Sequence, residues 1–223
     1  MSEWTQVDRR IGMWSAAIGA TIGFVYVITG LIGIAARPPG PNPLNEVDPY
    51  LALLEIFMSL AAVDLVILMA AVYAYAAPDR KTLALAALSF TIVFALLTCS
   101  LHFASLTVGR QTDRSVSPLL SHQLSFVDRW PTLALALDLF AWDFFLGLAL
   151  VFAAPVFKGQ GLTGRVRVTM MVAGSLCLIG TLGPASGNLD IQYVGIAGYV
   201  FAFTVASTLL ALLFSQRTPS QSS

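Results

Sequence analysis

Residues 131–156 read PTLALALDLFAWDFFLGLALVFAAPV, and within this run only Asp138 and Asp143 carry a charge. At 1.5 Å per residue such a run reaches about 39 Å as a helix, enough to cross a hydrocarbon core roughly 30 Å thick. A barrel strand would need only about ten residues of alternating polarity, so the run is too long and too uniform for one. The reading that fits is a membrane-spanning helix.

Five more runs of this kind follow from the same test: approximately 12–36, 50–77, 82–107, 166–186 and 191–214. The whole chain agrees, with 223 residues of which 57% are apolar and 11% charged, and a mean hydropathy of +0.79. Soluble domains average roughly 25% charged residues. Little chain is left over for a separate soluble domain. The expectation is an all-α polytopic bundle of six transmembrane helices, one domain over 1–223. Arg9 and Arg10 precede the first run, but its apolar stretch is much longer than a signal peptide's 7–15-residue core and no A-x-A site ends it. It is read as an uncleaved span.

Basic residues predict the orientation. The side with both termini holds Arg9, Arg10, Arg80, Lys81, Lys158, Arg165, Arg167 and Arg217; the other holds Arg37, Arg110, Arg114 and Arg129. This excess places both termini in the cytoplasm of a cell (inner) membrane. The bilayer is the expected partner, joined by a proton, a cation or a small solute.

The loops carry their own expectations. Asp48 before Pro49, Asp79 and Asp190 are candidate N-caps for spans two, three and six. The proline-rich stretch 37–49 reads as a stiff outer loop, and Ser186-Gly187-Asn188 as a tight turn between antiparallel neighbours. In the outer loop 108–130, Ser117-Pro118 could start a short interfacial helix that covers helix ends or acts as a lid.

Several function classes drop out. Twelve basic residues balance twelve acidic ones, so no basic surplus invites nucleic acid. Cys99 and Cys177 both lie in apolar runs, which excludes a secreted disulfide scaffold. No metal site is expected, since zinc commonly takes several His or Cys ligands and Cys99-x-x-His102 stands alone. No cofactor is expected either: the only other histidine, His122, is in a loop, and so are both lysines, which removes bis-histidine haem and retinal. Ser175 lacks the glycine-framed elbow of a serine hydrolase, and neither Asp64 nor Asp143 has the glycine-rich setting of an intramembrane aspartyl protease. No catalytic residue is assigned.

What remains is the set of ionisable residues inside the runs: Glu55, Asp64, His102, Asp138 and Asp143. An acid at the helix centre costs about 2.5–3.5 kcal/mol on insertion scales, so such residues face the protein interior and find partners. Counted along their helices, Asp64 and Asp143 fall near the bilayer midplane, while Glu55, Asp138 and His102 lie toward the outer end. The expectation is a midplane carboxylate pair beneath an outer group.

Helical phase qualifies that picture. At 100° per residue, Glu55 and Asp64 point to opposite sides of span two, and Asp138 and Asp143 differ by about 140°. Thr91, Thr98, His102 and Ser105 share one face of span three, as a hydrated path or as hydrogen-bonding glue. Ser15, Gly19, Gly23 and Gly30 form a small-residue packing stripe on span one, and Trp142, Phe144 and Phe145 surround Asp143 with apolar rings.

Three functions follow, in order of preference. The first is a small proton- or cation-coupled transporter that uses Asp64 and Asp143, approached through His102, Glu55 and Asp138. The second is a non-catalytic scaffold or sensor whose buried acids fix helix packing. The third is an intramembrane enzyme acting on lipid, for which no nucleophile is apparent.

Overall fold

The computed structural model of the chain describes residues 4–36, 48–111, 117–126 and 130–216. Most of the proline-rich outer loop, with Arg37, and the loop arginines Arg114, Arg129 and Arg217 lie outside them. Six helices are long and apolar enough to cross a membrane: α1 (Gln6–Ala36), α2 (Tyr50–Tyr75), α3 (Pro78–Gly109), α5 (Leu133–Val156), α6 (Gly161–Ser186) and α7 (Gln192–Ser215). A short helix, α4 (Pro118–Gln123), follows α3 and begins at the proline that marks it in the sequence. No strand occurs among the described residues. The chain is a multi-pass helical membrane protein by the length and composition of these six helices.

The ends of the helices are set by local chemistry. The N-cap of α2 is Pro49 and not Asp48, though Asp48 Oδ1, one residue earlier, still accepts a bond from the Ala52 N–H (3.2 Å) in the first turn. Asp79 does not cap α3; its carboxylate pairs with Lys158 and Arg80 instead. Asp190 likewise offers α7 only its backbone carbonyl, to the Tyr193 N–H. Between α6 and α7 the chain reverses through Gly187, whose φ of 73° is a left-handed conformation that favours glycine. At the far end Lys81 donates to the Tyr73 and Ala74 carbonyls, closing the C-terminus of α2 with a cation. Arg9 does the same for α7 through the Phe214 and Ser215 carbonyls.

That last contact joins the start of the first membrane helix to the end of the last. Successive helices pack in turn, with α1 on α2, α2 on α3, α3 on α5, α5 on α6 and α6 on α7, and α7 returns to α1. The helix at the centre is α5, where 61% of the most apolar window is buried, against 17–33% in the other five. The most enclosed helix is therefore the one that carries both Asp138 and Asp143. On the periphery, Trp14, Phe24 and Leu31 of α1, Leu96 and Phe103 of α3, and Phe201 and Leu212 of α7 are exposed, an apolar surface suited to lipid.

Three helices contain a π turn. A π turn occupies Ser105–Gly109 at the end of α3 away from both chain termini (the outer end), another Phe140–Phe145 in α5, and a third Ala197–Ala202 in α7. Such wide turns insert about one extra residue and are enriched at functional sites.

Candidate functional site: a buried polar track

At the outer end, α2 presents Glu55 to α3. The carboxylate is 2% exposed and both its oxygens are engaged: Ser105 Oγ donates to Oε1 (2.7 Å) and Arg110 Nη1 to Oε2 (2.7 Å). Arg110 also reaches outward to Asp48, with Nη2 3.0 Å from Oδ1 and Nε 3.4 Å from Oδ2. Burial works against the guanidinium charge, but the hydrogen bonds to Asp48 and Glu55 outweigh it and hold Arg110 above its ordinary pKa.

The π turn explains why two residues five apart both meet Glu55. In an α-helix Ser105 and Arg110 would point about 140° apart. With roughly 4.4 residues per π turn the offset shrinks to about 50°. Arg110, which the sequence suggested was only a loop charge, becomes a ligand of Glu55 in this way.

One turn deeper, His102 is 2% exposed and stacks on Phe126 at 4.9 Å. Its Nε2 lies 3.4 Å from Asp138 Oδ1, yet neither ring nitrogen has an aligned hydrogen bond. Asp138 Oδ1 accepts the indole N–H of Trp142 (3.1 Å). Thr98 Oγ1, a further turn along α3, is also buried without a partner. The segment after α4 thus closes over the track through Phe126, and Gln123 Oε1 accepts the Leu133 N–H at the start of α5.

At the inner end of this group Asp143 is fully buried, and neither carboxyl oxygen has a hydrogen-bond partner. It fits because two glycines make room. A Cβ on Gly195 of α7 would stand 2.2 Å from Asp143 Oδ1, and one on Gly180 of α6 2.8 Å from it. The side chain of Gln192, 5% exposed, neighbours Asp143 and the Tyr199 hydroxyl without closing a well-formed bond. Asp138 and Asp143 are electrostatic neighbours even though their α-helical phases differ by about 140°. The second π turn lies between them and removes much of that offset.

Asp64 is elsewhere. Ser15 Oγ sits 2.8 Å from Asp64 Oδ1 and 2.9 Å from the Asp64 backbone carbonyl, and Gly19 lies between the remaining carboxyl oxygen and Ser207. Ser207 lies at the level of Asp64 and Gly195 at that of Asp143, twelve residues or about 18 Å apart along α7. The expected midplane pair therefore does not form, because the helices enter at different heights and counting from their ends misjudges relative depth. Of the five candidate residues, the structure brings His102 and Asp138 together at 3.4 Å, leaves Asp143 five residues further along α5 within electrostatic reach of Asp138, pairs Glu55 with Ser105 and Arg110, and sets Asp64 against Ser15.

The Ser15 bond is testable by itself. Ser15→Ala is expected to lower stability by about 1–2 kcal/mol, because Asp64 loses its side-chain donor in a buried site. Ser207→Ala removes a hydroxyl that has no partner and should cost well under half as much. Melting temperatures in detergent compare the two.

The polar stripe of α3 divides by use. Thr91, Thr98, His102 and Ser105 are all buried, but Thr91 bonds its own helix at the Ala87 carbonyl (2.8 Å) while Ser105 clamps Glu55. On α1, Gly19 and Gly23 lie against Asp64 and Thr204, whereas Gly30 faces open space. Beside the track, a cleft of about 50 Å³ runs between α1, α2, α5 and α7, walled by Phe57, Trp142, Tyr199 and Phe203. No charged side chain lines it. Among the described residues no three His, Cys, Asp or Glu gather in a metal-binding group.

Sequence reasoning missed Arg110, Gln192 and the paired rings of Trp142 and Tyr199, whose centroids are 5.3 Å apart. A buried amide beside a buried acid was the one available clue to Gln192. Comparison of the chain with protein-family models, curated proteins and solved structures gives no match.

Proposed function

We propose that this protein is a small proton-coupled membrane carrier in which Asp143 binds the proton, and His102 and Asp138 connect it to the outer end. The observation that carries the reading is the Asp143 carboxyl, enclosed by Gly180 and Gly195 with no donor on either oxygen. An ionised carboxylate in that position would suffer desolvation with only the loosely placed Gln192 amide to offset it. The site therefore suits the neutral acid better than the carboxylate. A metal cation would need room among the oxygens, which the close glycines deny; a proton needs none. The second reading, an acid that fixes helix packing, is favoured at Asp64, where Ser15 satisfies the carboxyl.

Reconstituted vesicles with an internal pH dye test this directly. An imposed pH gradient should drive proton uptake in the parent protein, and Asp143→Asn should slow it by about a hundredfold, as when a proton-transfer group is lost. Asp64→Asn should leave uptake unchanged. Uptake that is absent from the parent, or undiminished in Asp143→Asn, overturns the proposal in favour of the packing role.

A further inference from the structure

The contacts of Arg110 go beyond holding two helices together. Side-chain exposure falls from 58% at Asp48 to 29% at Arg110 and 3% at Glu55, so the guanidinium stands between water and the buried acid. Behind Glu55 come Ser105, at 8% exposure, and then His102 with both ring nitrogens unbonded. Both oxygens of Glu55 are taken, one by Ser105 and one by Arg110. We infer that Arg110 is the outer gate of the buried polar track, a tethered cation that seals Glu55 and the groups beneath it from water.

A gate needs two positions of similar energy, and the structure supplies both ingredients. Arg110 already holds Asp48 through Nη2 and Nε while Nη1 holds Glu55. Releasing Glu55 leaves the guanidinium paired with Asp48, while the freed carboxylate keeps the Ser105 hydroxyl and gains the water that the opening admits. The Ser105–Gly109 π turn supplies the motion. If it tightens to α geometry, Arg110 turns away from the face it shares with Ser105 by about 90°. The gate then opens by a change in one turn, without a shift of the whole helix.

This inference adds regulation to the proton-carrier reading, but its test does not depend on transport. With Cys99 and Cys177 replaced by Ala, Ser105→Cys places a thiol directly behind the guanidinium. In detergent, a water-soluble methanethiosulfonate should label that thiol slowly while Arg110 is present, and at least tenfold faster with Arg110→Gln. Arg110→Lys, which cannot bridge two carboxylates in a fixed fork, should fall between. If Arg110→Gln alone does not fold, Glu55→Gln with Arg110→Gln removes both charges and should show the same rise.

Equal labelling rates with and without Arg110 overturn the gate. Uptake in vesicles then separates the two claims. A several-fold faster proton uptake in Arg110→Gln, abolished by adding Asp143→Asn, supports gate and carrier together. Unchanged labelling with Asp143-dependent uptake sinks the gate and leaves the carrier. Faster labelling without Asp143-dependent uptake in any variant keeps the seal and sinks the carrier.

Discussion

Gly195→Ala is expected to lower the stability of the bundle by about 2–3 kcal/mol, the upper part of the range for forced overpacking. The added methyl would lie 2.2 Å from Asp143 Oδ1 and 3.1 Å from both its Cγ and the Gly180 Cα. A flexible side-chain tip could move aside, but this carboxyl is short, fully buried and confined by a second glycine. Gly30→Ala is the matched control. Nothing lies within 4 Å of the new methyl, and alanine in a helix interior is favoured over glycine by about 0.5–1 kcal/mol. Melting temperatures in one detergent should therefore move in opposite directions. Combining Gly195→Ala with Asp143→Ala should recover part of the loss, since the closest clash disappears, and the two changes should fail to add. A fully additive pair would mean that Asp143 is not what fills the space beside Gly195.

Arg110→Ala is expected to be the other costly change, by about 2–3 kcal/mol. Removing one member of a buried ion pair typically costs about 3–5 kcal/mol because the partner is left charged and dry. The lower figure applies here since Arg110 is 29% exposed and water partly screens it. Glu55 would retain only the Ser105 hydroxyl. Adding Glu55→Gln removes the stranded charge, so the double variant should melt above Arg110→Ala alone. Chemical denaturation of the two variants beside the parent measures this. A double variant less stable than Arg110→Ala would show that Glu55 is held by something other than its charge partner.

The membrane helices were legible because their cause is one-dimensional: a long apolar run must cross the bilayer wherever it ends up. Their boundaries fall within a few residues of expectation except at α1, α3 and α6, where each helix begins about a turn or more early, at Gln6, Pro78 and Gly161. Phase was legible where the helix is regular. Glu55 and Asp64 point to opposite sides of α2, and indeed one meets α3 and the other α1. Phase failed where a π turn intervenes, since a constant 100° per residue separates Ser105 from Arg110 and Asp138 from Asp143. Depth failed for Asp64 and Asp143, because counting along a helix says nothing about its height relative to its neighbours. The faces themselves were hidden by uniformity: when nearly every side of a helix is apolar, composition cannot tell lipid from core.

The three π turns divide the bundle into two kinds of helix. In α1 and α2 the winding is α throughout, so the angular position of one end fixes that of the other, and α6 is interrupted only at Thr181. In α3, α5 and α7 the winding holds a surplus residue, so the two ends of a rod can be indexed differently while the rod stays intact. His102, Asp138, Asp143 and Gln192 all ride on these three. The molecule keeps its slack in the rods that carry the inner groups of its buried polar track.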